Sequence, residues 1–402
     1  MSPARMPPVT EYINRNKRQL TWLLYAVAAV ALALFVSNQL AGLKAARIVQ
    51  TLISGVLVGG VYGLVALGIV VINKASGVFN FAHGWMMVVG GMIFWSFFTV
   101  SEISLAGAGL LSAATMFMIM TTVSYRNLLE ERNLLIAAGG AIGLTALMTV
   151  GGIDWRWLHA LTGTFAGAIL TGLAVERFTI RPLIGQPLFT AVLMTLAVAE
   201  VLHGVTQIAW GTVELHLPIF VDPQTNSRFK PIRLDGLREA LDGLAIIRVE
   251  LVIAFVLAIV AFIGFILFFR YTSVGLAMRA TSEDQQLAQS VGLRVRVILA
   301  ITWAAAAFLA SIAGVLQGGA VGLSLNISFV ALRVFPAVLL GGLESITGAL
   351  VGGIIIGIVE QFGTLINSSE QAGTNLAPYV VLMLVLVIRP DGLFGEKRIE
   401  RI

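Results

Sequence analysis

The chain has 402 residues, of which 58% are hydrophobic and only 12% charged, whereas soluble chains carry about 25% charged residues. A mean hydropathy of +0.92 and repeated apolar runs of about 20 residues exclude a soluble globular protein and predict an all-α, polytopic integral membrane protein. The net charge of +5 lies in short connections between the apolar runs, so we attribute it to membrane topology and expect no nucleic acid partner.

The first predicted element is a membrane helix preceded by a basic tail, which together occupy 1–47. By the positive-inside rule, four basic residues place the N-terminus in the cytoplasm; they are Arg5, Arg15, Lys17 and Arg18. The apolar run 22–43 is longer than a signal-peptide core and lacks a clear A-x-A-like cleavage site. We therefore expect a retained helix.

Six further spans are expected in the first half of the chain, at about 49–72, 84–100, 105–123, 134–151, 160–176 and 189–210. Basic residues in their connections assign alternate connections to the cytoplasm; these residues are Lys74, Arg126, Arg132, Arg177 and Arg181. The chain has 42 glycines, many of them in G-G or G-x-x-x-G spacing. This spacing predicts helices whose backbones approach closely.

The second half begins with the longest polar stretch, 211–249, which alternation places outside. Spans at about 251–269 and 298–319 then flank a charged cytoplasmic segment. The stretch 333–364 is too long for one span and is interrupted at GGLESITG, so we expect a hairpin of two shorter helices with Glu344 near its tip. A last span at about 377–388 leads to a cytoplasmic tail, 396–402. The total is about ten crossings plus a Gly-rich broken-helix hairpin, with both termini cytoplasmic.

The charged segment 271–296 carries strong helix signals outside the membrane. We expect a short helix with a serine N-cap, a capping-box glutamine, two acidic residues in the first turn, a small apolar stripe and a terminating glycine. These residues are Ser282, Glu283, Asp284, Gln285, Leu287, Val291 and Gly292. A capped polar helix with an apolar stripe suits a groove on a partner protein. The alternative is an amphipathic helix lying on the membrane surface.

Several polar side chains within or beside the spans are candidates for a translocation pathway: Asn80, His83, Glu200, His203, Glu344 and Glu360. Ionisable groups at membrane depth are costly and point to function by default. Glu200 and His203 are three residues apart and share a helical face, where they could relay a proton, bind a metal, contact a substrate, or only bond to each other.

The remaining candidates have structural alternatives. For Asn80 and His83 we favour a turn in which both satisfy backbone groups. Glu344 and Glu360 bracket the Gly-rich hairpin together with Arg333, which we interpret as a boundary anchor.

No P-loop signature G-x-x-x-x-G-K-[ST] occurs, and neither does H-E-x-x-H or G-x-S-x-G. With no cysteine and only four histidines, the chain offers no thiol ligand and few metal ligands of any kind. We therefore expect that the chain is not an enzyme, that it has no catalytic residue, metal or cofactor of its own, and that any ATP chemistry comes from partner proteins. A membrane-embedded metalloenzyme is a remote alternative.

Five blocks of the sequence, taken together and in this order, resemble the branched-chain amino acid ABC transporter permeases, and most closely their LivH-like branch. They are GGVYGLVALGIVVINKASGVFNFAHG (59–84), ERFTIRPLIG (176–185), AMRATSEDQQLAQSVGL (277–293), AVLLGGLESITGALVGGIIIGIVEQF (337–362) and RPDGLFG (389–395). The resemblance covers most of 48–395, which we assign as the permease domain.

The resemblance implies a multi-pass subunit of the bacterial inner membrane, surrounded by lipid, that works with a second, LivM-like permease. It also implies two cytoplasmic ATP-binding subunits and a periplasmic substrate-binding protein, for which 211–249 is a candidate landing surface. On this basis 282–292 is the coupling helix. Because such permeases are usually nearer 300 residues, 1–47 and a helical pair at 101–151 are expected to be additions.

The sequence therefore predicts an importer permease for branched-chain or related amino acids. The family tends to be uncharged where Glu200 and His203 lie, which leaves urea, short amides or aromatic acids as alternative cargoes. An autonomous channel or an ion-coupled carrier, with these two residues as its proton site, is the alternative from another class.

Overall fold

The computed structural model describes residues 38, 42–100, 103–123, 130–151, 153–183, 186–221, 228–366, 370–389 and 391–395. The basic N-terminal tail, nearly all of the first predicted span and the tail 396–402 lie outside the described residues. The described part of the chain is mainly α-helical.

Thirteen α-helices make up most of the described structure. The first six are α1 (Ala45–Ser76), α2 (His83–Thr99), α3 (Leu105–Val123), α4 (Glu131–Thr149), α5 (Arg156–Val175) and α6 (Leu188–Trp210). The other seven are α7 (Val249–Tyr271), α8 (Ser273–Glu283), α9 (Gln285–Ser290), α10 (Val295–Val321), α11 (Ser328–Gly341), α12 (Ile346–Ile366) and α13 (Glu370–Ile388).

Eight of the described helices are long and apolar enough to cross a membrane. These are α1, α3, α4, α5, α6, α7, α10 and α12, with a short continuation of α5 as far as Leu183. A helix also occupies each of the other described spans that the sequence predicts, α2, α11 and α13. The all-α, polytopic prediction is therefore confirmed, whereas the number of crossings and the side of each terminus stay predictions.

Helix α1 lies at the centre of the bundle because nearly all of its residues from Gly59 to Ile72 are apolar and buried. Its glycines allow α12 to pack directly on its backbone. A Cβ added at Gly59 would lie 2.5 Å from Ile354 Cα, and one added at Gly353 would lie 2.3 Å from Gly63 N. The glycine spacing therefore produces the close helix approach that the sequence predicts.

Helices α3 and α4 form a hairpin at the edge of the bundle. They pack on each other and on α5, to which Thr115 Oγ1 donates a hydrogen bond at Ala166 O, 3.2 Å away. The chain leaves and re-enters the bundle at one point, since the Phe98 ring at the end of α2 lies 4.8 Å from the Trp157 ring at the start of α5. The pair is thus peripheral to the core.

The segment 211–249 contains structure of its own. Strands β1 (Ile232–Arg233) and β2 (Ile246–Ile247) pair antiparallel, with Ile232 opposite Ile247. Backbone hydrogen bonds between Leu215 and Leu323 attach the segment to the end of α10. This polar stretch is therefore a cap on one end of the bundle, which we call the Trp210 end.

The interrupted stretch after α10 breaks where the sequence predicts. Gly342, with φ +104°, ends α11, and the next helix begins at Ile346. The expectation of two shorter helices is wrong for α12, whose 21 residues are enough to span a membrane. Only α11, with 14 residues, is short.

The C-terminal segment covers this break. The backbone N–H groups of Leu393 and Phe394 donate to Leu340 O and Gly341 O at 2.7 and 3.1 Å. Because Lys74 and Phe394 line the same surface pocket as the break, these elements share one end of the bundle, which we call the Lys74 end.

Candidate functional site

The predicted coupling segment lies at the Lys74 end and consists of two helices, not one. Thr272 caps α8, its Oγ1 accepting a hydrogen bond from Gly275 N at 2.9 Å. Helix α8 buries Met278 and Thr281 against the bundle. A single extended residue, Asp284, with φ −154° and ψ 111°, separates α8 from α9.

The prediction of Ser282 as N-cap is wrong. Ser282 lies inside α8, where its Oγ donates to Arg279 O at 2.7 Å. The cap of α9 is Asp284, whose Oδ1 accepts from Gln286 N at 2.8 Å and Leu287 N at 2.9 Å. Gln285 is consequently the first residue of α9 rather than a capping-box partner, and Glu283 is the last residue of α8. Burial of Met278 and Thr281 favours a longer α8. The start of α9 therefore lies two residues further along the chain than predicted.

Helix α9 presents opposite faces to the bundle and to its surroundings. Ala288 is buried against Ala75, Val295 and Leu299. Leu287 and Val291 point away and are 63% and 71% exposed. Gly292 terminates the helix with φ +87°, as the sequence predicts. No described part of the chain therefore covers the stripe formed by Leu287 and Val291.

Glu200 and His203 lie on the outward face of α6, near the middle of that helix. The Glu200 side chain is 79% exposed, and its Oε2 lies 3.5 Å from His203 Nδ1. On biological insertion scales an ionised carboxylate at the centre of a lipid-facing helix costs about 2.5–3.5 kcal/mol. Lipid is thus an unfavourable neighbour for this face.

Two residues that the sequence reading missed complete this group. The Trp85 ring stacks on the His203 ring with centroids 4.2 Å apart. Gln207 Nε2 lies 2.8 Å from His203 Nε2. Gln207 was detectable in principle, since it follows His203 by four residues on the same helical face, whereas Trp85 comes from α2 and carries no local signal.

Asn80 lies in the turn between α1 and α2, and His83 is the first residue of α2; both are buried. Asn80 Oδ1 accepts from Ala82 N at 3.0 Å, so Asn80 fits the structural turn that we favoured. His83 does not, because neither of its ring nitrogens has a hydrogen-bond partner among the described residues. Its ring packs against Gly68, where an added Cβ would come within 2.5 Å of the imidazole. Both residues are sealed inside the bundle.

Glu344 and Glu360 lie in different environments. Glu344 is exposed in the break at the Lys74 end, beside Lys74 and Phe394. Glu360 is only 3% exposed and pairs with Arg333, Nη1 to Oε1 being 3.5 Å. The buried Tyr62 side chain of α1 lies in electrostatic contact with both members of this pair. Arg333, which we interpreted as a boundary anchor, is thus a partner of a buried carboxylate.

A second buried ion pair was not anticipated. Glu176 and Arg181 form a bidentate pair, with nitrogen–oxygen distances of 2.9 and 2.7 Å, across a π-helical turn, Glu176–Ile180, that continues α5. A turn of this kind widens the helix and often marks a functional position. The sequence ERFTIR contains both residues, but an α-helical reading of their spacing does not bring i and i+5 together.

The six pathway candidates therefore do not form one site. Glu200 and His203 form a polar group on an outward face, Glu360 lies in a buried pair, Asn80 and His83 are buried just before and at the start of α2, and Glu344 lies at one end of the bundle. The residues predicted to couple to a partner, by contrast, are contiguous at the Lys74 end.

This combination of apolar spans, glycine-packed central helices and a short helical segment held outside them defines a polytopic membrane protein of the transport-subunit class. The family model for the permease component of branched-chain amino acid transport systems matches residues 51–388. The chain belongs to this family, and an ABC importer role fits it. No solved structure matches the chain.

Relatives agree with this assignment. The high-affinity branched-chain amino acid transport system permease protein LivH of Salmonella typhimurium is 27% identical over 359 residues, covering 88% of this chain and 97% of LivH. BraD of Pseudomonas aeruginosa, a permease protein of the same kind of system, is 25% identical with the same coverage. A probable LivH of Methanocaldococcus jannaschii is 29% identical over 66% of this chain and 82% of its own length.

Proposed function

We propose that this chain is the membrane-spanning permease subunit of an ABC importer for branched-chain or related amino acids in a bacterial inner membrane. In this arrangement the Lys74 end faces the cytoplasm and both termini lie there. The observation that carries the proposal is the uncovered surface of α9. An apolar pair, Leu287 and Val291, projects beyond the membrane helices on a capped helix that is too short to span a bilayer.

The surface of α9 suits a groove in a protein partner. Its apolar pair is flanked by exposed Glu283, Asp284 and Gln286, so a partner groove with an apolar floor and basic rim would be complementary. A helix lying on an anionic membrane surface instead carries mainly basic residues on its polar face. We therefore assign Ser282 to Gly292 as the surface that docks a cytoplasmic ATP-binding subunit.

The mechanism follows from how this surface is attached. Ala288 packs against Ala75 of α1 and Leu299 of α10, two helices that run through the centre of the bundle. Closure of two ATP-binding subunits moves α9, and the packed contacts transmit the movement to α1 and α10. The pathway between this chain and a second, LivM-like permease then opens alternately to each side.

The remaining assignments concern the outer side and the pathway. A periplasmic binding protein delivers substrate to the Trp210 end, where 211–249 forms the landing surface. Among the pathway candidates, Glu200 and His203 have the geometry for contact with a passing solute, because they face away from the chain's own core.

Two alternatives are distinguished by experiment. The same machinery could carry urea, short amides or aromatic acids, since a binding protein sets much of the selectivity. An autonomous channel or ion-coupled carrier would use Glu200 and His203 as a proton site and would need no ATP-binding partner.

The test is affinity purification of the chain in mild detergent from its native host, with ATP hydrolysis assayed in the eluate. We expect an ATP-binding subunit to co-purify with the wild type and to be lost from the Leu287→Arg/Val291→Arg variant. The matched control is Val213→Arg, which places the same side chain at an equally exposed valine of the Trp210 end. This control should retain the partner.

Two outcomes would contradict the proposal. If the chain purifies alone and vesicles containing it transport solute without ATP, the importer assignment is wrong. If ATPase activity is retained by the double variant, the coupling surface is wrong while the importer class stands.

A further inference from the structure

We propose that the outward face of α6 lines a water-filled passage and that Glu200 there receives the ammonium group of an amino-acid substrate. This inference deepens the proposed function and depends on it. It starts from the polar group formed by Glu200, His203, Gln207 and Trp85, which lies halfway along a membrane-length helix yet outside the chain's own core.

A contact with His203 orients the Glu200 carboxylate. An amide nitrogen only donates, so Gln207 Nε2 donates to His203 Nε2 at 2.8 Å. The neutral imidazole then carries its proton on Nδ1, which faces Glu200 Oε2 at 3.5 Å. Stacking on Trp85 holds the ring in this plane. One carboxylate oxygen is thus directed at His203, and the other has no partner among the described residues and can accept a hydrogen bond from a solute.

The rest of the face matches the substrate's side chain. Leu193 and Leu196, seven and four residues before Glu200, share its side of α6 and are 49% and 44% exposed, and Val201 beside this face is 64% exposed. A carboxylate set among exposed aliphatic groups complements a molecule that joins an ammonium group to a branched aliphatic chain. His203 and Gln207 act here as positioning residues for the carboxylate.

Helix α7 provides a comparison, because it is a second membrane-length helix with an exposed apolar face. Helix α7 has no ionisable residue between Glu250 and Arg270. Its outward residues Val256 and Val260 are 51% and 61% exposed, much like the aliphatic residues on α6. Exposure is therefore similar on the two helices, and the charge at the centre of α6 is the difference that favours water over lipid.

The first experiment uses the absence of cysteine from the chain. Single variants Leu196→Cys and Val201→Cys on α6, and Val256→Cys and Val260→Cys on α7, are expressed with the whole transporter in membrane vesicles. They are treated with a charged, membrane-impermeant methanethiosulfonate. We expect the α6 cysteines to react at least about tenfold faster, since the thiolate forms in water and not in lipid.

Substrate protection then identifies the ligand chemistry. L-leucine should slow the reaction of Val201→Cys, whereas 4-methylpentanoate, which lacks the ammonium group, should not. Cysteines on α6 that are as unreactive as those on α7 would overturn the passage. Equal protection by both compounds would overturn the role of Glu200 as the ammonium partner.

The second experiment measures transport. Glu200→Gln should lower the maximal rate of leucine uptake by about tenfold or more, because removing one partner of a charge-assisted contact costs at least the equivalent of a factor of ten. Glu131→Gln removes the same charge at an exposed position on peripheral α4 and should leave uptake unchanged.

Failure of this inference differs from failure of the importer assignment. If Glu200→Gln transports normally and an ATP-binding subunit still co-purifies, only the ammonium site is wrong. If no ATP-binding subunit accompanies the wild type, the proposed function itself fails.

Discussion

Two glutamates inside membrane-length helices have opposite surroundings. Glu360 is 3% exposed and its charge is offset by Arg333 across 3.5 Å. Glu200 faces outward, with a histidine as its polar neighbour. Breaking a buried pair of this kind is costly because it leaves an uncompensated charge. The presence of Glu360 in an apolar helix therefore has a structural explanation. Among the described residues no lysine or arginine pairs with Glu200. We therefore explain this glutamate by the environment that it faces.

The residue that starts α9 can be tested directly. We expect Asp284→Ala to remove the hydrogen bonds to Gln286 N and Leu287 N and to cost about 1 kcal/mol of local helix stability. In hydrogen exchange followed by mass spectrometry, amides of α9 should then exchange about fivefold faster.

The control for this prediction is Ser282→Ala. Ser282 lies within α8, so its removal should leave the protection of α9 unchanged. Faster exchange in Ser282→Ala, with no change in Asp284→Ala, would restore the serine cap that the sequence predicts.

At the scale of elements, the α3–α4 hairpin is the least integrated part of the bundle. It contacts chiefly α5, and much of α4 is exposed. The elements before and after it meet directly, since Arg156 Cζ lies 4.8 Å from the centre of the Phe98 ring. A two-helix hairpin can be inserted at such a point without reversing the direction of any later helix.

We predict that the α3–α4 hairpin is accessory. Replacing 101–152 with a short Gly-Ser linker should leave a folded permease that retains ATP-dependent leucine uptake within about threefold, since α1, α10 and α12 make none of their main contacts with the pair. Melting in detergent and uptake in vesicles would measure this. A matched disruption, removal of α12, should abolish folding, and loss of folding on excising the hairpin would contradict the prediction.

At the scale of the whole molecule, the charges around α8 and α9 indicate one orientation. Four arginines lie in or beside these helices at the Lys74 end, Arg270, Arg279, Arg294 and Arg296, and the segment 391–395 lies at the same end. The positive-inside rule assigns this end to the cytoplasm. In the proposed orientation the β1–β2 cap lies outside, on the side that we propose receives a substrate-binding partner.

This orientation can be measured with single cysteines in the naturally cysteine-free chain. We expect Ser290→Cys and Ser345→Cys to be labelled by an impermeant maleimide only in inverted membrane vesicles. Thr212→Cys, at the Trp210 end, should be labelled only in intact spheroplasts. Labelling of all three from the same side would contradict the topology.

The sequence by itself determined the class of the protein and most of its helices. Long apolar runs leave the backbone no alternative to helix in a membrane, and the glycine spacing in α1 and α12 allows their backbones to meet. The break at Gly342 could also be predicted from the sequence, because an interrupted apolar stretch cannot continue as one span.

Tertiary structure decided the rest, because contacts between distant residues leave no local pattern. Because Met278 and Thr281 are buried, α8 continues past Ser282, and Asp284 is the N-cap of α9. The partnership of Arg333 with Glu360 and the stacking of Trp85 on His203 each join separate helices. Whether a glutamate in an apolar helix faces a buried arginine or the outside depends on the rotation of that helix in the bundle, which packing against its neighbours sets.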